Sequence, residues 1–295
     1  MRFTVFTPTY NRAYIIENLY HSLQRQTFQD FEWVVVDDGS SDNTPELFAR
    51  ILEEENFFPI QYIRVENGGK HRAINCGVQA AQGTLFCIVD SDDFLRDNAL
   101  EIADQIERTI PADQKAAFAG VCGLRVYPNG NMLGNTFSGD TIDATNLERD
   151  QLHITGDKAE VYYTELLKQY PFPAFEGEKF ITECVVWDKI ASDGYKLRFF
   201  NQPVIVCEYR DDGLTSQGNA IFRKNPKGYG LYLAQAVQYN TLTGMKKWNE
   251  LLDYYGLLRN NHSMLEIARN LQMNPLKLWL RLLGLRIFYK LYGRW

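Results

Sequence analysis

The stretch Leu85-Phe-Cys-Ile-Val-Asp90-Ser-Asp92-Asp93-Phe94 constrains this chain more than any other. Leu85 to Val89 is an unbroken run of apolar or small residues set off by Gly83, the pattern of a strand buried on both faces. Three carboxylates close it, at the strand end where open α/β sheets place their ligands. Crowded carboxylates repel one another unless a cation lies among them. Hard oxygen donors beside a crevice fit Mg²⁺ or Mn²⁺ carried with a phosphate. An Asp-rich turn that caps the next helix has the same composition. Taken alone, this stretch leaves both readings open.

The residues before it repeat one theme. Arg2 to Thr7 reads as a short strand that runs into Thr7-Pro-Thr-Tyr-Asn-Arg12, with Thr9 and Asn11 as caps for a helix starting near Ala13. That helix carries an apolar stripe at Ile15, Ile16, Leu19 and Leu23. Phe31 to Val36 is a second strand, followed by Asp37-Asp38-Gly-Ser-Ser-Asp-Asn-Thr44 and a helix over Pro45 to Glu55. Ile60 to Val65 is a third, ending in Glu66-Asn-Gly-Gly-Lys70-His-Arg72 and another helix. Paired glycines at a helix start, with Lys70 and Arg72, form either an anion site or a turn with two solvated cations. His71 by itself points to nothing. Strand, loop and helix alternate four times before residue 94, which implies a parallel, doubly wound sheet with its functional loops on one edge. No Gly-x-Gly-x-x-Gly follows the first strand, so a dinucleotide cofactor is not expected.

A net charge of −6 argues against a general nucleic-acid binder, so any phosphate recognition should be local. The five cysteines are scattered, with no Cys-x-x-Cys, and read as reduced thiols of a cytosolic protein. The N-terminus enters a strand with no signal-peptide pattern, and no apolar run is long enough to span a bilayer.

Four motifs in this order, TPTYNR (7–12), VVVDDGSSDNT (34–44), NGGKHRAINCG (67–77) and IVDSDDF (88–94), resemble those of the family 2 glycosyltransferases of GT-A fold. A single Asp-x-Asp is weak, but the four together at these spacings are specific. The resemblance covers roughly the first 215 residues and is strongest to Gly83. It implies that Thr7, Pro8, Thr9, Tyr10, Arg12 and Asp38 surround a nucleotide base, uracil by family weight. Gly69, Lys70 and Asn75 would approach the base or diphosphate, Asp90 and Ser91 would lie near the ribose, and Asp92 would hold the divalent metal, Mn²⁺ or Mg²⁺. A nucleoside-diphosphate leaving group gathers charge as the sugar–oxygen bond breaks, and a divalent cation stabilises that charge.

Beyond Asp93 the sequence predicts a helix over 98–108, a strand over 118–127, a polar irregular loop over 129–160 and a helix over 157–170. An inverting transferase needs a carboxylate to take the acceptor hydroxyl's proton. The family places an acidic pair just before a helix bearing a Trp. Here Thr182-Glu183 occupies that place and Trp187 follows, so the resemblance assigns Glu183 as the base, with Glu178 in reserve. A helix-start glutamate serving the macrodipole is the alternative. Leu197 to Tyr209 reads as a late strand or strand pair. The loop after it, Tyr209 to Ser216, lacks the histidine that assists the metal in many members. From Asn219 onward the chain is helical. Pro275 to Trp295 has five basic and no acidic residues among many Leu and aromatic side chains, a pattern shared by an amphipathic membrane-surface helix and by one packed on the catalytic domain or another subunit.

The expected architecture is α/β of GT-A type: a doubly wound, mostly parallel sheet with helices on both faces. Residues 1–217 form the catalytic domain, with 1–110 as the nucleotide-sugar-binding half and 111–217 as the acceptor-binding half. Residues 218–295 form a helical C-terminal region. The expected function is inverting transfer from a nucleotide-diphosphate sugar to a saccharide or lipid-linked acceptor of cell-surface polysaccharide synthesis. The expected location is the cytoplasm, peripheral at the inner membrane's cytoplasmic face. The competing readings are an Asp-x-Asp phosphohydrolase and a non-catalytic nucleotide-sugar-binding scaffold. Oligomeric state stays open.

Overall fold

The computed structural model describes residues 1–208, 210, 212–213 and 218–293. Of the late loop read above, Tyr209, Asp211 and 214–216 lie outside the described residues, as do 294–295. The chain forms two compact units, Met1–Phe172 with Ile190–Gly213, and Pro173–Lys189 with Leu214–Trp295.

In the first unit the strands and helices up to the carboxylates follow the expected alternation. They are β1 (Phe3–Thr9), α1 (Glu17–Gln24), β2 (Phe31–Asp37), α2 (Thr44–Glu53), β3 (Ile60–Arg64), α3 (Lys70–Ala80) and β4 (Leu85–Ile88). After them come β5 (Phe94–Leu95), α4 (Ala99–Arg108), β6 (Phe118–Val126), β7 (Thr141–Ala144), β8 (Lys158–Tyr163), the one-turn α5 (Thr164–Leu167) and β9 (Lys196–Val206); α6 (Cys184–Ser192), which precedes β9 in the chain, lies mostly in the second unit. Among the described residues, nine strands make one sheet in the order β3-β2-β1-β4-β8-β6-β9-β5, with β7 on β9. β3, β2, β1 and β4 are mutually parallel, as are β6 and β9. The antiparallel pairs are β8 with β4 and with β6, and β9 with β5 and with β7. The sheet is therefore mixed and mostly parallel.

Burial explains the strands. Every residue of β1, β2 and β4 is buried, as continuous apolar runs flanked by helices require. The core on one face joins Phe3 and Val5 of β1 to Leu19 and Leu23 of α1, Trp33 of β2 and Phe48 of α2. On the other face α3 presses so closely on β1 that a Cβ on Gly77 would stand 2.2 Å from the Phe6 ring. Gly77→Ala should cost about 1–3 kcal/mol through overpacking, read as a lowered urea midpoint. An unchanged midpoint would mean that α3 can lift without loss.

One sequence expectation is overturned here. Residues 157–170, predicted as a helix, form β8 and a single helical turn. Most of β8 is buried, and Ala159 and Val161 join the core. Two neighbours, β4 and β6, complete its backbone hydrogen bonds. The helix formers Glu165-Leu-Leu make only the single turn of α5, while Lys158–Tyr163 take a central place in the sheet. The polar segment 129–160 is likewise interrupted by β7, whose Asp143 pairs with Arg198 of β9 at 2.7 Å.

The second unit holds α7 (Asn219–Lys224), α8 (Pro226–Gln238), α9 (Gly244–Leu258), α10 (Met264–Asn270) and α11 (Pro275–Tyr292). Leu233, Leu251, Tyr254, Leu258, Ile267, Leu271 and Leu278 make its core. The boundary expected at residue 217 omits the segment 173–189, which also belongs to this unit. Polar contacts bind it there. Glu178 receives the Lys227 and Gly228 N–H groups at 2.8 and 2.9 Å, and Asn225 Oδ1 receives those of Lys179 and Phe180 at 2.7 and 3.0 Å.

Candidate active site

Strand direction assembles the site. β6 is antiparallel to β8, which is antiparallel to β4, so β6 runs with β4; β9 runs with β6. The C-terminal ends of β1, β2, β4, β6 and β9 therefore share one sheet edge. Thr9 lies opposite Asp37, the Asp38 N–H bonds Thr9 O at 2.8 Å, and the Cys207 N–H bonds Val126 O at 2.8 Å.

The first two loops are stitched to each other. Asn11 takes a left-handed backbone, φ 54°, which Asn tolerates better than most side chains. Its Oδ1 receives the Ser41 N–H at 2.7 Å, and Asp42 Oδ2 receives the Ala13 N–H at 3.1 Å. The helix after β1 is thus tied by Asp42 of the neighbouring loop, not by Thr9 and Asn11 as expected. Burial disfavours charge on Asp42, but bonds from Thr44 and Ala13 outweigh it and hold the carboxyl below its ordinary value.

The expected base-binding residues divide by environment. Thr7 is fully buried and its hydroxyl accepts the Trp33 indole N–H at 3.0 Å, so its side chain packs inside the sheet. Pro8 and Thr9 are buried too, and Thr9 Oγ1 has no hydrogen-bond partner among the described residues. Tyr10 is 48% exposed and presents an aromatic face at the edge. Arg12 pairs with Asp212, and Tyr14 donates to the same carboxylate at 2.8 Å, so the first loop meets the one after β9.

Asp38 organises the glycine loop. Its two carboxylate oxygens receive the Gly68 and Gly69 N–H groups at 2.7 and 2.8 Å, and its carbonyl receives the Asn67 amide at 2.8 Å. The N–H groups that the sequence offered to a phosphate are occupied by the protein's own anion. Gly69, at φ 97°, makes the bend into α3 that a side chain would strain. Asn75 grips the Phe172 backbone twice, at 2.9 and 2.8 Å, and so anchors the end of the first unit's first segment.

Lys70 does not reach outward: its Nζ sits 2.6 Å from Asp90. Arg125, a β6 residue that local sequence reading missed, lies on the other side. Its guanidinium is 2.8 Å from Asp93 and 3.7 Å from Asp90, and donates to Lys158 O at 2.9 Å. Cys207 donates its thiol to Asp93 at 3.1 Å. Burial opposes charge on Asp90, yet Lys70 and Arg125 outweigh it and hold that carboxyl low. Burial pushes the Asp93 carboxyl up, against the pull of Arg125. Ser91 is buried in the turn between them.

Asp92 differs from both. It is half-buried, and among the described residues it has no ion-pair partner. Burial and then the neighbouring Asp90 push its carboxyl above the ordinary value. Such a group is stabilised by an arriving cation. No cluster of three or more His, Cys, Asp or Glu that could cage a metal exists among the described residues. One hard oxygen donor fits a divalent ion that keeps water and phosphate oxygens as its other ligands.

Glu183 belongs to the second unit. It is half-buried at the start of α6, where its carbonyl accepts the Val186 and Trp187 N–H groups at 2.9 and 3.1 Å. Glu178, the reserve candidate, is buried with both oxygens on the first turn of α8. That is a capping role.

Residues 4–155, over half of the chain, match the sequence model of Glycosyl transferase family 2. The chain belongs to that family. This family 2 chain is 37% identical over 112 residues to glycosyltransferase GlyG of Streptococcus pneumoniae serotype 4, covering 37% of this chain and 36% of that one. It is 27% identical over 194 residues to the GalNAc(5)-diNAcBac-PP-undecaprenol beta-1,3-glucosyltransferase of Campylobacter jejuni, covering 63% and 58%. The matches thus span less than two thirds of these relatives' lengths. Among solved structures, S. aureus TarS 1–349 in complex with UDP superposes with TM-score 0.59 at 21% identity, covering 90% of this chain and 75% of that one. Mannosyltransferase PcManGT of Pyrobaculum calidifontis, in complex with GDP-Man and Mn²⁺, gives 0.57 at 20% identity over 100% and 88%. These likenesses show that the fold is GT-A.

Proposed function

We propose that this family 2 member is an inverting glycosyltransferase, moving a sugar from a nucleoside-diphosphate donor to a saccharide or lipid-linked acceptor of cell-surface polysaccharide synthesis. The observation that carries this reading is the unequal treatment of the three aspartates. Asp90 and Asp93 are neutralised by Lys70 and Arg125, while Asp92 is held half-buried without a cation of its own. Asp92 would hold Mn²⁺ or Mg²⁺, and the ion when bound would stabilise charge growing on the diphosphate. Exposed Tyr10 offers a stacking face to the base, and Asp38 keeps the glycine loop shaped around it. Glu183, by its place before α6 and Trp187, would accept the proton of the attacking hydroxyl as its oxygen bonds to the anomeric carbon. The nucleoside diphosphate departs with the electron pair of the broken bond, and configuration inverts.

UDP in the TarS complex supports uridine as the base, and the undecaprenol-linked substrate in the Campylobacter enzyme's name supports a lipid-linked acceptor. An acceptor of that kind would place the enzyme at the cytoplasmic face of a membrane as a peripheral protein. No helix among the described residues is long and apolar enough to cross one.

Calorimetric titration of UDP and GDP, with Mn²⁺ and with chelator, tests the donor site. Metal-dependent binding of one diphosphate should appear, and Asp92→Asn should weaken it about tenfold or more, as expected for loss of the one charged ligand. Equal binding by Asp92→Asn would remove Asp92 from the cation site. No binding of either nucleotide would sink the donor reading.

A further inference from the structure

α11 has two apolar faces, and only one is used. Leu278 and Leu282 are buried in the second unit's core, and Tyr289 donates to Asn249 on α9. The sequence pattern sets a membrane-surface helix against one packed on the catalytic domain or another subunit; this face packs instead within the helical unit itself. The opposite face carries Leu276, Trp279, Leu280, Leu283, Ile287 and Leu291, each at least 39% exposed. Their spacing of three and four residues makes one continuous stripe. At the helical rise of about 1.5 Å per residue it runs for about 22 Å.

Charge borders the stripe. Lys277 and Arg281 follow one side by helical position, Arg286 and Lys290 the other, and all four are exposed. No Asp or Glu occurs after Glu266, in a chain whose net charge is −6. The Arg281 guanidinium lies over the Trp248 ring at 5.6 Å, which brings a further aromatic to the same border.

We propose that this face of α11 docks the protein on an anionic lipid surface, with the helix lying in the plane of the headgroups. The six apolar side chains would enter the acyl boundary while the four cations meet lipid phosphates. Charge complementarity selects this occupant over a second copy of the chain. Pairing α11 with α11 would set two cationic borders against each other with no carboxylate on either helix to neutralise them. The inference rests on the second unit's surface and is independent of the transfer reaction.

Co-sedimentation of the full chain with phosphatidylcholine vesicles, with and without phosphatidylglycerol, tests it. Binding should be about tenfold or more stronger with the anionic lipid and should fall as salt rises. Leu280→Glu with Ile287→Glu should abolish it and leave the melting temperature unchanged, since both positions face solvent. Lys277→Gln with Lys290→Gln should weaken binding to anionic vesicles only. Absence of binding to anionic vesicles would overturn the proposal. So would a dimer in sedimentation velocity that the Leu280→Glu/Ile287→Glu variant dissociates without lipid, because the stripe would then be an interface between copies.

Discussion

Glu183→Gln is expected to lower turnover by about 10²–10⁴-fold, the usual contribution of a general base, while donor binding measured by calorimetry stays unchanged. Gln keeps the size and hydrogen-bonding shape of the side chain but cannot take a proton. Its loss should therefore fall on kcat for the acceptor reaction and not on donor affinity. The comparison that decides the assignment is Glu178→Gln. The Glu178 carboxylate spends both oxygens on the Lys227 and Gly228 N–H groups. Removing its charge should cost stability, about 1 kcal/mol as for other helix caps, with turnover per folded molecule preserved. Normal transfer by Glu183→Gln together with a collapse in Glu178→Gln would reverse the two roles.

Arg125→Met should destabilise the first unit by about 3–5 kcal/mol, because it strands a buried carboxylate. Asp93 is 6% exposed and, among the described residues, pairs with Arg125 alone, at 2.8 Å, while Asp90 would keep Lys70. A matched control separates charge from packing. In Arg125→Met with Asp93→Leu both charges are gone, and replacing a buried pair by apolar side chains is often neutral. The double variant should regain most of the lost urea midpoint. If Arg125→Met alone unfolds at the wild-type midpoint, the guanidinium is not what neutralises this cluster. Arg125→Lys should fall between, since an ammonium cannot span Asp93, Asp90 and the Lys158 carbonyl with a planar fork.

The two variants probe parts of the molecule that differed in legibility. The family resemblance assigns Glu183 as the proposed base from short-range features, its place before a helix and Trp187 four residues on. Arg125 was not, because nothing within its own strand marks it. It meets Asp93 across 32 residues of sequence, and Cys207 reaches the same carboxylate across 114. Asp38 shows a subtler limit. Turn residues mark its loop in the sequence, but its partners, Gly68 and Gly69, lie 30 and 31 residues away, and only the fold shows that Asp38 also organises the glycine loop.

The sequence by itself determined the four alternating strand–helix repeats, the edge that carries the loops and the family. These follow from apolar runs, turn residues and spacings that act within a dozen residues, where local sterics and burial periodicity dominate. Tertiary structure alone decided that Lys158–Tyr163 is a central strand, because two long-range ladders satisfy its backbone better than a helix there would. It also decided that Glu178 caps α8, that Asp90 and Asp93 share Arg125 while Asp92 has no such cation, and which apolar face of α11 stays exposed. In each case the deciding free energy comes from groups distant in sequence. Desolvation and charge pairing are set by the neighbours the fold supplies.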